Sequence, residues 1–235
     1  MNDKVVLITG GAGNLGRVVT EVFLEDGARV AVPFYKTDRP SVLDELSNRF
    51  TDRLHTFALD LTTERGAEQA IRRVIEWAGR IDSVVHLVGG YAGGFRVADT
   101  PSDAWARMVD LNLTSAYLIS RFAIPGLVES GGGSFVFVSS RAAFEGRKGM
   151  AAYAATKAGL IAFAAAIGEE YAGDGIRSNV IVPDTIDTED NRRARPEEDH
   201  SRWISPQEVA RVILFLASDR ASAVNQATIP VYGSG

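Results

Sequence analysis

The stretch AAYAATKAGL sets Tyr153 and Lys157 four residues apart. On a helix that spacing stacks both side chains on one face. A phenol can give a proton to an oxygen that is gaining negative charge, but at its ordinary pKa of about 10 it is too weak an acid. A unit positive charge about 4 Å away, at an effective dielectric of about 20, contributes ~4 kcal/mol, or roughly three pKa units. Lys157 is therefore expected to bring Tyr153 down towards about 7, where it can pass a proton in either direction. Two serines, Ser139 and Ser140, close an apolar run upstream, and Ser140 lies thirteen residues before the tyrosine. From a strand end, its hydroxyl could bond the reacting oxygen. The chain contains no cysteine, which removes thiolate nucleophiles, disulfides and cysteine zinc sites. Proton transfer of this kind calls for no metal.

A second group binds rather than reacts. TGGAGNLG, Thr9 to Gly16, follows an apolar run at once and opens a helical stretch. A strand–turn–helix corner that packs on a pyrophosphate needs residues without a Cβ and free N–H groups at the helix start. Gly10, Gly13, Asn14, Leu15 and Gly16 are the candidates. Asn14 is the bulky exception, and asparagine is expected to survive there because it tolerates a left-handed φ.

Short apolar runs alternate with longer amphipathic ones throughout. Strands are expected at KVVLI, ARVAVPF, LHTFAL, DSVVHLV, GSFVFVS, IRSNVIV and ATIPVY, nearly continuous in apolar character as parallel strands covered on both faces are. Helices are expected between them, with Ser102 and Ser205 as N-caps and Gly27 and Gly79 as stops. Repeated β-then-α units imply one doubly wound α/β domain over residues 1–235, a Rossmann fold with about seven parallel strands. Asp187 to Trp203 breaks the rhythm, being charged and poorly periodic. It reads either as polar surface or as a lid over a site.

Composition narrows the partners. The net charge is −5 with no basic block, so nucleic acid is not expected. No run of about 18 apolar residues suggests a membrane span. The start, MNDKVVLITGG, shows no basic region followed by an apolar stretch, so the expected location is the cytoplasm.

These motifs, taken in order, resemble the short-chain dehydrogenase/reductase family over nearly the whole chain. The resemblance implies a nicotinamide-dependent oxidoreductase that interconverts a small carbonyl and its alcohol. It selects Ser140 over Ser139 and makes Asn112, in VDLNLTSAYL, the fourth member of a set with Ser140, Tyr153 and Lys157. It implies adenine contacts at Asp60-Leu61, ribose contacts by Tyr153 and Lys157, and a nicotinamide side formed by Gly89, Gly90, Pro183, Ile186 and Thr188. The acidic residue that would select NAD(H) is replaced by Phe34, followed by Tyr35, Lys36 and, further on, Arg39. NADP(H) is therefore expected over NAD(H), unless both cations are merely solvated surface. The family also implies a homotetramer, or failing that a dimer. Two segments, GGYAGG and the lid, resemble dihydropteridine reductases within it, which leaves pterin reduction as an alternative. A non-catalytic dinucleotide sensor is the alternative of another class. His86, where the family carries asparagine, reads as a packed strand residue.

Overall fold

The computed structural model describes residues 1–35 and 41–233. Lys36 and Arg39 lie outside the described residues. Seven strands form one sheet: β1 (Val5–Thr9), β2 (Arg29–Phe34), β3 (Leu54–Ala58), β4 (Ser83–His86), β5 (Gly133–Val138), β6 (Ile176–Pro183) and β7 (Thr228–Val231). Their order is 3-2-1-4-5-6-7, and each neighbouring pair is parallel. All seven runs expected to be strands are strands, because Val, Ile and Phe at consecutive positions suit a sheet covered on both sides.

Two cores provide that cover. On one face Leu7, Val84, Phe135 and Phe137 pack against α3 (Glu64–Ala78), α5 (Ser115–Glu129) and α6 (Ala151–Glu170), through Val74, Ile119 and Leu160 among others. On the other, Val6, Ile8, Val30 and Val136 meet α1 (Asn14–Glu25), α2 (Ser41–Arg49) and α8 (Pro206–Ala217) through Phe23, Leu43 and Ile213. Chain order reverses between β1 and β4, both of which end at a loop over the carboxyl edge. That reversal is where an open α/β sheet leaves a crevice.

Several local expectations need correction. Ser102 opens α4 (Ser102–Val109), but the cap position belongs to Pro101. Ser205 does cap α8, in a reciprocal box with Glu208. The long helix expected from Ser102 is interrupted by a π turn over Asp110–Thr114 before α5 begins. Helix α6 has an 18-residue window with mean hydropathy 1.4, long and apolar enough to cross a membrane by composition. In this fold Leu160, Ala164 and Ile167 place it against the sheet. The third strand ends at Ala58, short of Asp60.

Two substitutions separate core from cap. Phe137, fully buried between the sheet and Phe163, should cost about 3–5 kcal/mol as Phe137→Ala. Ser205→Ala should cost only about 1 kcal/mol. Urea denaturation of both variants checks the contrast.

Candidate active site

The carboxyl edge of β4, β5 and β6 opens into a cavity of about 370 Å³. Ser140, Tyr153, Lys157, Gly89, Gly90, Pro183 and Ile186 line it together. These came from four separate stretches of sequence. The adjacent serines divide their labour. Ser139 is buried, and its hydroxyl donates to the Lys157 carbonyl at 2.8 Å, fastening α6 to β5. Ser140 instead faces the cavity, its Oγ accepting from the Ala142 N–H at 3.2 Å.

Lys157 is buried, and its ammonium donates to the Val138 carbonyl at 2.9 Å. Burial pushes its pKa down to about 8. Its Nζ lies 5.9 Å from the Tyr153 ring centre. The expected lowering of the Tyr153 pKa by Lys157 is not what this geometry gives. Burial, the largest influence, raises the phenol above its ordinary value, with Tyr91 adding to the rise. The Ser140 hydrogen bond and the Arg195 charge oppose it. Desolvation of the phenolate outweighs these opposing influences, and Lys157 is not among them.

Asn112 is fully buried inside the π turn. Its amide clasps Gly90 twice, accepting from the Gly90 N–H at 3.0 Å and donating to the Gly90 carbonyl at 3.1 Å. A Cβ on Gly89 would stand 2.8 Å from Asn112 Oδ1 and 3.2 Å from Lys157 Nζ, so the bare Gly89 backbone runs over both. His86 closes the same region from below. It meets Thr9 Oγ1 through Nδ1 at 3.0 Å and Ser115 Oγ through Nε2 at 3.2 Å. It is indeed a packed strand residue, and it ties β1 and β4 to the first turn of α5.

The glycine corner has the shape a dinucleotide pyrophosphate needs. Gly10 adopts φ +69°, and a Cβ there would meet the Leu87 backbone at 2.9 Å. A Cβ on Gly16 would stand 2.0 Å from the Gly10 carbonyl oxygen. The first turn of α1 receives no side-chain cap from Gly13, leaving its N–H groups for an anion. Asn14 does not use left-handed freedom, for it is the first residue of α1, and its side chain donates to Asp190. Tyr35 is exposed beyond β2. Leu61 is buried in the core, and Asp60 accepts from the Thr62 backbone and hydroxyl.

The segment from Asp187 to Trp203 is folded. It holds the short helix α7 (Glu189–Ala194), capped by the Thr188 hydroxyl, which accepts from the Asn191 N–H. Its base is closed by two backbone bonds, Ile204 N–H to the Thr185 carbonyl at 3.0 Å and Asp187 N–H to the Ile204 carbonyl at 2.8 Å. Trp203 packs on His200 with ring centres 4.2 Å apart and the planes tilted by 41°. Asn191, Ala194 and Arg195 line the cavity, as do Arg141, Arg147 and Met150 from the loop after β5. Sequence reasoning missed that second loop. RAAFEGRKGM carries no periodicity, and only its place after Ser140 could have drawn notice.

The profile described as short chain dehydrogenase matches residues 4–199. A 3-oxoacyl-acyl-carrier-protein reductase of Thermotoga maritima is 30% identical, across 99% of this chain and 98% of that protein. A meso-2,3-butanediol dehydrogenase of Serratia marcescens is 29% identical, across 99% and 94%. Among solved structures, a short-chain type dehydrogenase/reductase from Mycobacterium ulcerans superposes with a TM-score of 0.93 at 28% identity, covering 98% of this chain and 89% of that one.

The buried imidazole has a consequence for stability. Burial, assisted by the Lys157 charge, holds the His86 pKa down to about 3 against an ordinary 6.5. Below pH 6.5 the unfolded chain binds a proton there that the fold refuses until about pH 3, so stability falls with pH across that window. Each unit costs up to about 1.4 kcal/mol. In urea unfolding at pH 7 and pH 5, His86→Asn should shrink the pH-dependent loss by about 2 kcal/mol.

Proposed function

The chain belongs to the short-chain dehydrogenase family of NAD(P)-dependent oxidoreductases, and on that premise we propose that it transfers hydride reversibly between NADP(H) and a small carbonyl or alcohol substrate, with Tyr153 moving the proton. The observation that supports this most is the meeting of Ser140, Tyr153 and Lys157 in one cavity, with Gly89, Pro183 and Ile186 around it.

Gly10, Gly13, Asn14, Leu15 and Gly16 would hold the cofactor's pyrophosphate. Tyr35 and Lys36 would flank the adenosine, Asp60 and Leu61 the adenine, and Gly89, Gly90, Pro183, Ile186 and Thr188 the nicotinamide. When bound, the nicotinamide would supply or accept the hydride, which leaves all proton handling to the protein. Ser140 orients the reacting oxygen. Tyr153 donates its proton to that oxygen during reduction, and its raised pKa keeps the phenol protonated and loaded for that direction. Lys157, with a pKa of about 8, remains largely protonated at neutral pH and would bind ribose hydroxyls and favour the phenolate left behind. Asn112 acts as a positioning residue, fixing the Gly90 backbone and with it the neighbouring Gly89 that lies over the lysine.

The absence of a carboxylate at Phe34, with Lys36 and Arg39 near it in sequence, supports NADP(H) over NAD(H). A pterin is the second substrate reading. Tyr91, T-shaped against Tyr153 at 5.3 Å between ring centres, offers an aromatic wall to a planar ring. Residues 187–203 would serve as the substrate lid. The helices starting at Ser102 and Ala151 would form a helix–helix dimer face, to which exposed Trp105 and Tyr117 lend support, and the C-terminal strand would make a second contact to a tetramer. The setting we propose is the cytoplasm.

Tyr153→Phe should lower turnover by orders of magnitude while NADPH affinity, read by cofactor fluorescence, stays within about threefold. Lys157→Ala should lose both. Titration of the wild-type protein with NADPH and NADH should show tighter NADPH binding, and a clear NADH preference would overturn the reading of Phe34, Lys36 and Arg39.

A further inference from the structure

The cavity is lined by more positive charge than its neighbours cancel. Arg141, Arg147, Lys157 and Arg195 face it, and Asp184 is the one carboxylate among the described lining residues. This stands out in a chain of net charge −5. The four cations are not equally free. Arg141 is held by Asp184 at 2.7 Å and by Glu145. Arg147 donates to the other oxygen of Glu145 at 2.7 Å. Asp184 is itself fully engaged, its second oxygen accepting from the Thr185 N–H at 2.9 Å. Lys157 is turned inward to the Val138 carbonyl.

Arg195 differs. Its Nη1 donates to a neutral group, the Thr185 hydroxyl, at 3.2 Å. The carboxylate of Glu198 stands at 3.6 Å, beyond hydrogen-bond distance, with a side chain 49% exposed to water. An exposed pair of that length contributes little, so the guanidinium keeps most of its binding capacity. It sits at the end of α7, where the Arg195 N–H bonds the Asn191 carbonyl and its own carbonyl bonds His200. The backbone that carries it is therefore fixed. Its charge also reaches the Tyr153 phenol, whose pKa it lowers.

A cation that both lines the cavity and acts on the proton donor is placed to bind an anion close to the reacting carbon. A guanidinium presents paired N–H donors in a plane, the complement of a carboxylate. Tyr91, Met150 and Ala142 supply an apolar lining to the same cavity. Since about 370 Å³ must also admit the nicotinamide end of the cofactor, the remaining space suits a short chain.

We propose that the substrate is a short oxo acid or the matching hydroxy acid, and that Arg195 binds its carboxylate beside the reacting carbonyl. This rests on the dehydrogenase reading above, as a specificity determinant within that site. Arg141 and Arg147, neutralised by Asp184 and Glu145, form wall rather than receptor.

The test compares 3-oxobutanoate with its methyl ester, which differ in the charge at one end. Binding is measured by calorimetry on the Tyr153→Phe protein with NADPH present, so that no turnover intrudes. The acid should bind more tightly by about tenfold or more, the effect of one charge-assisted contact. Arg195→Leu on the same background should bring acid and ester within about threefold, and Arg195→Lys should restore part of the gap. Equal or undetectable binding of the two, or a preference that survives Arg195→Leu, overturns the proposal. Turnover by the wild-type enzyme separates the two readings. Reduction of the ester as fast as the acid upholds hydride transfer and refutes the anion subsite. Acid preference in binding with no turnover of either refutes hydride transfer on such substrates and upholds the subsite.

Discussion

An ammonium buried under the carboxyl edge of a sheet is the constraint from which the rest of this site follows. Lys157 comes off a helix packed on the sheet through Leu160, Ala164 and Ile167, and taking its charge out of water is costly. One carbonyl, that of Val138, accepts from it, and its depressed pKa measures how incomplete the compensation is. Everything near it limits further loss. The Ser139 hydroxyl pins the helix backbone at Lys157 itself. Asn112 brings an amide oxygen to the same point from the π turn between α4 and α5. Gly89, lacking a side chain, leaves the space between them clear. A side chain at position 89 would strike the Asn112 amide first and crowd the Lys157 ammonium second, so the glycine is demanded by these polar groups rather than by a turn.

The same economy explains the π turn. An α-helix running unbroken from Ser102 would carry Asn112 past Gly90. Widening the turn over Asp110–Thr114 sets the amide where it bonds the Gly90 backbone on both sides. The Ser115 hydroxyl, donating to the Leu111 carbonyl at 2.8 Å, satisfies one group freed by the widening, and His86 bonds that hydroxyl in turn. The imidazole stays neutral because burial penalises its charge and, to a lesser degree, because a second positive charge would face Lys157.

Sequence carried the fold because each strand is a block of β-branched and aromatic residues with helical periodicity between. The group proposed to carry the chemistry was legible for a different reason, since Tyr153 and Lys157 share a helix and Ser140 follows closely on a strand. What could not be read depends on contacts between distant segments. The Tyr153 pKa was expected from one neighbour at helical spacing. In the fold it answers to burial first, and to Arg195, which arrives from forty-two positions later in the chain. The loop after β5 escaped for the same reason. Its arginines take meaning from Glu145 and Asp184, and that arrangement exists only once β5 and β6 are paired. The charged, aperiodic stretch after β6 looked unstructured, yet it forms α7, because Thr188 supplies a cap and the backbone clasp between Thr185, Asp187 and Ile204 closes its ends.

Asn14 joins these strands of the argument. Set among glycines, it reads as a tolerated irregularity, accepted for its ease in left-handed backbone. Its actual conformation is helical, so that reason falls away, and what remains is its side chain. The amide spans from the phosphate corner to Asp190 on α7, and Asp190 is paired in turn with Arg193. A glycine could make the corner but could not reach α7. The helix that carries Arg195 is thereby attached at two places, its base clasp beside β6 and the glycine corner after β1. The glycine corner and the proposed substrate contact are thus joined by one exposed side-chain hydrogen bond, which a glycine at position 14 could not make.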